Sequence, residues 1–288
     1  MPINDPFGPI PPTVELAEFQ SWIVYEDERT LAVNKPGWFV CHPSKNGNFS
    51  SLVGVVREYL RADRIHLVAR LDRETSGLVL FAKDAEAARA YQTAVEQRRV
   101  SKEYLAIVDG VLAEETLVDQ PLGPCVSGHV RMKSMVRTDG QSAVTWFQPL
   151  FANQQFTVCR IAPHTGRRHQ IRVHAAWLGH PIIGDKVYGP DETLFVHFIQ
   201  SGWTQRHQQL LPLKRQALHC CRSDFQFDQL QLASALCDAF VAPPTEDLMD
   251  FCRSNLAFDL ANGRMCNDST AQQPIPTSEI LNSDHVNQ

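Results

Sequence analysis

The chain has 288 residues, of which 43% are hydrophobic, and its formal net charge at pH 7 is -5. A chain of this length can bury the core of one domain of roughly 200 to 250 residues without disulfides or a structural metal. Apolar runs such as Leu78–Ala82 are much shorter than the about 20 residues that span a bilayer, and the start lacks the pattern of a targeting peptide, so we expect a cytoplasmic protein with no membrane partner.

The first half of the chain contains strand patterns and one helix pattern. Residues 1–14 are rich in proline, which predicts an extended N-terminal tail. Two short strands are predicted at residues 22–25 and 31–34, and a helix at residues 51–60. Leu78–Ala82 is a continuous apolar run of strand length, which is typical of a strand buried on both faces.

The elements that follow are predicted by caps and by periodicity. Asp84 is a suitable N-cap for a helix that ends near Gln97. Alternating side chains predict a strand at residues 103–108, and similar patterns predict strands at residues 142–150 and 155–161. A helix is predicted at residues 169–178, because Gly179 is a typical C-terminal cap and Pro181 follows it.

These elements do not alternate with a regular βαβ rhythm. The pattern predicts an α+β fold with a mixed, mainly antiparallel central sheet flanked by helices. We expect one catalytic domain over residues 15–250. Residues 251–288 are rich in polar and acidic side chains, which predicts a largely disordered C-terminal tail.

The charge is distributed unevenly along the chain. Residues 243–288 carry seven acidic and two basic residues, so the rest of the chain has no net charge. Three groups of basic residues stand out: Arg98, Arg99 and Lys102; Arg131, Lys133 and Arg137; and Arg160, Arg167, Arg168, Arg172 and Lys186. Such local patches can bind phosphates, although each is equally well read as a solvated face.

The stretch Ala69–Gly77 places one carboxylate, Asp72, between Arg70 and Arg73, followed by Thr75 and two residues suited to a tight turn. A nearby cation lowers the pKa of a carboxylate and keeps it ionised. An ionised carboxylate on a rigid turn at a sheet end can act as a nucleophile or an electrostatic catalyst. The alternative is an ordinary surface ion pair beside a turn.

A second stretch, residues 165–174, combines arginines with histidines. His164, His169 and His174 are each five residues apart, and neither strand nor helix geometry brings three such side chains onto one ion, so we predict no metal site. An arginine-rich helix start is better suited to phosphates or a carboxylate.

Together these stretches resemble the RluA family of pseudouridine synthases, over roughly residues 22–247. The resemblance is carried, in the family's order, by Asn34-Lys-Pro-Gly37 with His42-Pro43, by Arg70-Leu-Asp-Arg-Glu-Thr-Ser-Gly77, by Lys102-Glu-Tyr-Leu-Ala106, and by Gly166–His174 with Gly184-Asp185. Leu218-His219 is similar to a late core segment of the family. Ala69 departs from the pattern, because the family usually has histidine there.

The resemblance implies a pseudouridine synthase fold and a reaction without metal or nucleotide cofactor. It implies that Asp72 is the catalytic residue, that Tyr104 stacks on the uracil, and that Arg172 pairs with Asp72. The residues that it places against the substrate are Ile171 beside the aspartate and Arg70 in the space left by a flipped base. Arg167, Arg168 and Lys102, from the basic groups, are the further candidates for RNA contacts. Tyr104 as ordinary core and Arg172 as a phosphate contact remain alternatives.

The partner implied is a structured RNA. We expect large-subunit ribosomal RNA, with transfer RNA as the alternative, and a monomeric enzyme. Two other functions stay open at this point. One is a non-catalytic RNA-binding protein of the same fold. The other is a glycoside hydrolase, which would need a second carboxylate, and Glu74 is the one near Asp72 in sequence.

Overall fold

The computed structural model describes residues 5–8, 10, 12–42, 47–227 and 236–260. Its helices are α1 (Leu16–Gln20), α2 (Leu52–Leu60), α3 (Ala85–Glu96), α4 (Gln170–Trp177), α5 (Thr193–Ser201), α6 (Gln205–Leu210) and α7 (Glu246–Leu256). Its strands are β1 (Ile23–Glu26), β2 (Thr30–Lys35), β3 (His66–Leu67), β4 (Ser76–Ala82), β5 (Val100–Asp109), β6 (Thr116–Asp119), β7 (Leu122–Pro124), β8 (Ser134–Val136), β9 (Val144–Ala152), β10 (Phe156–Pro163), β11 (Leu218–Phe225) and β12 (Ala239–Val241).

One large sheet organises the described part of the chain. Its main path runs β1-β2-β4-β11-β5-β10-β9-β6, with β3 paired to β4 and β12 paired to β11. The pairing of β4 with β11 is parallel, and every other strand pair described is antiparallel. The predicted α+β fold with a mainly antiparallel sheet is therefore confirmed.

The central strands form where the apolar runs predicted them. All seven residues of β4 are buried, as expected for a strand covered on both faces. Asp84 caps α3, because its carboxylate accepts the backbone N–H groups of Glu86 and Ala87 at 2.9 and 2.8 Å. The loop before β4 lines the same cavity as residues of β5, β11 and α4.

Several features depart from the predicted elements. The helices α5 and α6 and the small sheet of β7 and β8 were not predicted from the sequence. Helix α7 continues through residue 250, the predicted end of the catalytic domain, and Cys252 and Leu256 are buried within it because its apolar face packs on the core. The predicted tail from residue 261 onward, like residues 1–4 and Pro43, lies outside the described residues.

The close parallel pairing of β4 and β11 depends on one glycine. Gly77 has a φ of +107°, and a Cβ atom there would lie 2.2 Å from the carbonyl oxygen of Cys220. Only glycine adopts this conformation without strain and permits such a close backbone approach. The predicted turn therefore ends at Thr75, and Ser76 and Gly77 already belong to the strand.

In the ranges that the structure covers, none of the helices is both long and apolar enough for a bilayer span.

Candidate active site

Asp72 lies in the loop between β3 and β4, on a tight turn. The backbone N–H of Thr75 donates to the carbonyl oxygen of Asp72 at 3.2 Å, which closes the turn. The carboxylate projects from the turn with 36% of the side chain exposed. A half-buried carboxylate on a closed turn of this kind has a fixed direction and still has access to solvent.

Arg172, one hundred residues further along the chain, binds this carboxylate. Its NH1 group donates to Oδ2 of Asp72 at 2.8 Å. Its Nε and NH2 groups donate to Asp185 at 2.6 and 2.8 Å, and Asp185 also accepts the backbone N–H groups of Val187 and Tyr188. Asp185 is fully buried, so it fixes the guanidinium in one orientation while the third N–H group reaches Asp72.

These contacts keep Asp72 ionised. Burial by itself would raise the pKa of Asp72, but the charge of Arg172 and the hydrogen bond from it outweigh burial and hold this pKa below its ordinary value of 3.8. The pKa of Asp185 is lowered in the same way, against its complete burial, by Arg172 and by the two backbone N–H groups. At neutral pH the cluster is therefore two carboxylates that share one guanidinium.

His169 is a neighbour of Asp72 that the sequence did not assign to the site. Its Nε2 atom lies 3.8 Å from Oδ2 of Asp72, and its Nδ1 atom lies 2.9 Å from the hydroxyl of Tyr188. That hydroxyl also accepts the backbone N–H of Ser134 in β8, at 2.8 Å. Burial first, and the charge of Arg172 second, lower the pKa of His169 to about 4, so the imidazole is neutral at pH 7.

The hydrogen bonds fix which oxygen of Asp72 is available. The Tyr188 hydroxyl accepts from Ser134 and can donate its own hydrogen to Nδ1 of His169, and in that tautomer the imidazole N–H is on Nε2, which faces Asp72. Arg172 and His169 thus approach the same oxygen, Oδ2. No donor from the described ranges is bonded to Oδ1, which is the oxygen available to a bound molecule.

A cavity of about 550 Å³, the first cavity, opens beside Asp72. Tyr104 from β5 and Ile171 from α4 contribute to its walls, and both are less than a tenth exposed. Burial raises the pKa of Tyr104 well above its ordinary value of 10, so the phenol stays protonated. The remaining predicted residues divide between this cavity and its neighbours: Arg70, Lys102 and Arg167 line the first cavity, and Arg168 lines the two that adjoin it.

The loop that carries Asp72 is attached to distant parts of the chain at each position from residue 72 to residue 76. The carbonyl of Arg73 accepts from the buried Lys35 ammonium at 3.0 Å, and the Glu74 carboxylate accepts from Lys186 at 2.8 Å through both oxygens. Three further attachments complete the set: Arg215 to the carbonyl of Glu74, Gln216 to the hydroxyl of Thr75, and His219 to the hydroxyl of Ser76.

Two of the sequence interpretations change at this point. Arg172 and Lys186 were grouped with the basic surface patch, but they are 6% and 1% exposed and are paired with Asp185 and Glu74. A segment rich in arginine and lysine does not show by its sequence whether these side chains form buried ion pairs or a solvated face. Glu74, the second carboxylate that a hydrolase would need, is bound by Lys186 and does not line the first cavity.

The three histidines at five-residue spacing have separate environments. His164 lines the first cavity, and His169 is bonded to Tyr188. His174 is fully buried, with Nδ1 at 2.8 Å from the Thr145 hydroxyl and Nε2 at 2.9 Å from the carbonyl of Gln120. His174 therefore supports the junction between α4 and β9.

The sequence and the structure were compared with known proteins. A family model described as RNA pseudouridylate synthase matches residues 29–177. Ribosomal large subunit pseudouridine synthase D of Pasteurella multocida is 35% identical over 211 residues, 68% of this chain and 60% of that protein. tRNA pseudouridine synthase C of Haemophilus ducreyi is 36% identical over 180 residues, 58% of this chain and 73% of that protein. The chain thus spans less than two thirds of the length of relatives such as the Pasteurella protein.

A solved structure with a similar fold is Human RNA Pseudouridylate Synthase Domain Containing 4. It superposes with a TM-score of 0.61 at 22% sequence identity, over 83% of this chain and 94% of that one. At this identity the similarity establishes a shared fold.

Proposed function

The chain belongs to the RNA pseudouridylate synthase family, and on that premise we propose that it isomerises uridines in structured RNA, with Asp72 as its catalytic residue. The observation that carries the proposal is the Asp72 carboxylate, ionised and bound through Oδ2 by Arg172, with Oδ1 open to a cavity between Tyr104 and Ile171. That arrangement suits a reaction at a single base held against one carboxylate.

The reaction breaks the bond between N1 and C1′, turns the uracil, and joins C5 to C1′. The hydrogen on C5 is lost to water, and N1 ends the reaction protonated, so no electrons are exchanged with a cofactor. Attack by Asp72 on C1′, attack on C6, and stabilisation of a glycal intermediate all require an ionised carboxylate next to the base. The target base must first leave the RNA stack, which costs a few kcal/mol.

Tyr104 and Ile171 are proposed to hold the flipped uracil. The aromatic ring of Tyr104 offers a stacking surface, a contact typically worth about 1 to 3 kcal/mol. Because its phenol is protonated at neutral pH, Tyr104 can take the proton from C5 only after passing its own proton to another group. Stacking is therefore its proposed first role, and Arg70, exposed at the mouth of the cavity, is proposed to fill the space that the base leaves.

A groove beside the first cavity is proposed to bind the RNA backbone. This basic groove is lined by Arg131, Lys133, Arg137, Arg167 and Arg168. Lys133 is paired with Glu192 and Arg137 with Asp139, whereas no carboxylate of the described residues pairs with Arg131 or Arg168. Arginine side chains without a protein partner are suited to bidentate contacts with phosphate. Lys102, on the wall of the first cavity, is proposed to contact the same strand.

Large-subunit ribosomal RNA is the proposed substrate class, and transfer RNA is the alternative, since the relatives' names include both. We further propose that the enzyme acts as a monomer in the cytoplasm. Cys41, Cys159 and Cys252 are buried free thiols, which suits a reducing compartment. A non-catalytic RNA-binding protein remains the competing function, and it is separated from this one by replacing Asp72.

The test of the proposed function uses RNA from a strain that lacks this gene, labelled with tritium at C5 of uridine. Incubation with the purified protein is expected to release tritium to water and to restore pseudouridine at particular positions, which mapping of the RNA then identifies. A glycoside hydrolase would leave that tritium in place. Failure to release tritium from any RNA fraction would contradict the proposal.

Removing the Tyr188 hydroxyl is expected to slow the reaction about tenfold. Tyr188→Phe loses the bond that orients His169 and leaves the Ser134 N–H unpaired, and each such hydrogen bond contributes about 0.5 to 1.5 kcal/mol. The rate of tritium release at saturating RNA measures the effect. Tyr59→Phe is the matched control, because the Tyr59 hydroxyl bonds to the exposed Glu26. Equal rates for both variants would show that His169 does not orient Asp72.

Replacing Arg168 is expected to weaken RNA binding without changing the chemical step. Arg168→Gln removes one proposed phosphate contact. The plot of the logarithm of the RNA binding constant against the logarithm of salt concentration should therefore become less steep, by about 1 unit of slope. Binding titrations between low and moderate salt measure that slope. Arg253→Gln is the control, since Arg253 is paired with Glu246 and Asp250 on α7. An unchanged slope for Arg168→Gln would exclude this residue from the RNA interface.

A further inference from the structure

A second cavity, of about 450 Å³, adjoins the first one at Asp72. Five residues line both cavities and form the boundary between them: Arg70, Leu71, Asp72, His169 and Arg172. Tyr104 and Ile171 line the first cavity alone, so the proposed uracil site does not account for the second one. The catalytic carboxylate therefore lies between two recesses, and each is large enough to hold a base.

The walls of the second cavity include four apolar side chains, two of which are exposed. Helix α5 supplies Phe195, Phe198 and Ile199, and the segment before β8 supplies Met132. Ile199 is 60% exposed and Met132 is 43% exposed. Apolar side chains grouped in a concave surface mark a place where a ligand removes them from water.

Cations surround these apolar walls. Arg70 and Arg168 are exposed at the edge of the cavity and make no ion pair with a carboxylate in the covered ranges. The Arg73 guanidinium lies 5.5 Å from the centre of the Phe198 ring. Lys186 is not available to a ligand, since Glu74 binds it through both oxygens. An apolar recess with arginines at its edge has the chemistry of a nucleotide site, in which a base is buried and a phosphate is paired.

We propose that the second cavity binds the base of a nucleotide next to the target uridine. The inference rests on the proposed function and extends it. A strand that places its uracil against Tyr104 passes across Arg70 and Asp72, so the neighbouring nucleotide arrives at the second cavity with its phosphate near Arg168. Flipping the target uridine removes stacking from that neighbour, and the apolar walls restore part of what it loses. The enzyme would then recognise its site by two unstacked bases.

The test combines changes in the protein with changes in the RNA. Once the target uridine is mapped with the wild-type protein, a stem-loop containing it is synthesised. Two further RNAs are made, in which an abasic nucleotide replaces either the nucleotide before the target uridine or the nucleotide after it. The protein variants are Ile199→Ser and, on a separate element, Met132→Ser. The matched control is Leu117→Ser, because Leu117 is 49% exposed on β6 and lines neither cavity. Thermal unfolding checks that each variant is folded.

We expect one abasic position to lower kcat/KM about tenfold with the wild-type protein. Ile199→Ser and Met132→Ser should lower kcat/KM on intact RNA by a similar factor, and combining either with the abasic RNA should cause little further loss. Losses that multiply in the combination, or no effect at any abasic position, would overturn the second site while leaving the proposed function intact. If the wild-type protein modified no uridine, both the second site and the proposed function would be contradicted.

Discussion

Asp72→Asn is expected to abolish pseudouridine formation while the fold and the affinity for RNA are retained. Asparagine has the shape of aspartate and can still accept a hydrogen bond from Arg172, but it carries no charge and cannot act as a nucleophile. The Arg172 guanidinium keeps its two bonds to Asp185, so no buried charge loses its partner. We expect the rate to fall by at least about a thousandfold.

Release of tritium from C5-labelled RNA measures this loss, and binding titrations on the same RNA measure affinity. Asp224→Asn serves as the control, because it also removes one carboxylate that is paired with an arginine, Arg222, but lines none of the three cavities. Tritium release at the wild-type rate by Asp72→Asn would refute the assignment of Asp72. A wild-type protein that binds RNA and releases no tritium would instead support the non-catalytic alternative.

Arg172→Met is expected to remove activity and to lower the free energy of unfolding by about 3 to 5 kcal/mol. The large effect on stability follows from Asp185, which is fully buried and would lose both bonds from the guanidinium. Breaking a buried ion pair in this way leaves an uncompensated charge. The effect on activity follows from Asp72, whose carboxylate loses the hydrogen bond that fixes its direction and the charge that lowers its pKa against burial.

The stability loss of Arg172→Met depends on pH with a definite sign. In the wild-type protein the folded-state pKa of Asp185 is lowered, so its contribution to stability is present above the unfolded-state pKa and is lost as pH falls. In the variant burial dominates and raises that pKa, so the deficit is largest at neutral pH and shrinks on acidification. Denaturant unfolding at several pH values measures it.

A double variant separates the two consequences of losing Arg172. Arg172→Met with Asp185→Asn removes the buried charge, and the asparagine can still accept the N–H groups of Val187 and Tyr188. We expect much of the stability to return while the activity does not. Recovery of activity in the double variant would show that Arg172 acts only through the fold.

The strands at the centre of the sheet could be predicted because local sequence determines them. A fully buried strand such as β4 needs a continuous apolar run, and α3 needs a capping residue, and both signals lie within a few residues. Helix α5 lacks a side-chain cap, and β7 and β8 have three residues each, so they leave little local signal. These elements exist because of what they pack against, which a local pattern does not contain.

In the candidate site, too, some residues could be predicted from the local sequence and others could not. Asp72, Tyr104 and Arg172 could be named from the sequence through the resemblance of their surrounding motifs. His169 and Tyr188 could not be assigned, because their hydrogen bond joins two loops at no characteristic spacing. The basic group that contained Arg172 and Lys186 did not indicate that both side chains are buried and paired, Arg172 with Asp185 and Lys186 with Glu74.

The attachment of residues 72–76 to distant segments separates two properties of the enzyme. The geometry of the candidate site is determined by β2, α4, β11 and the segment that precedes β11, all of which contact the loop directly. Within the described residues, the surfaces proposed to choose the RNA, on the β7–β8 hairpin and α5, make no hydrogen bond to residues 72–76, and α5 meets the loop through the Phe198 ring, 5.5 Å from the Arg73 guanidinium. We expect substitutions on those exposed surfaces to change RNA selection while Asp72 keeps its position, so target choice and the geometry of the candidate site can vary separately.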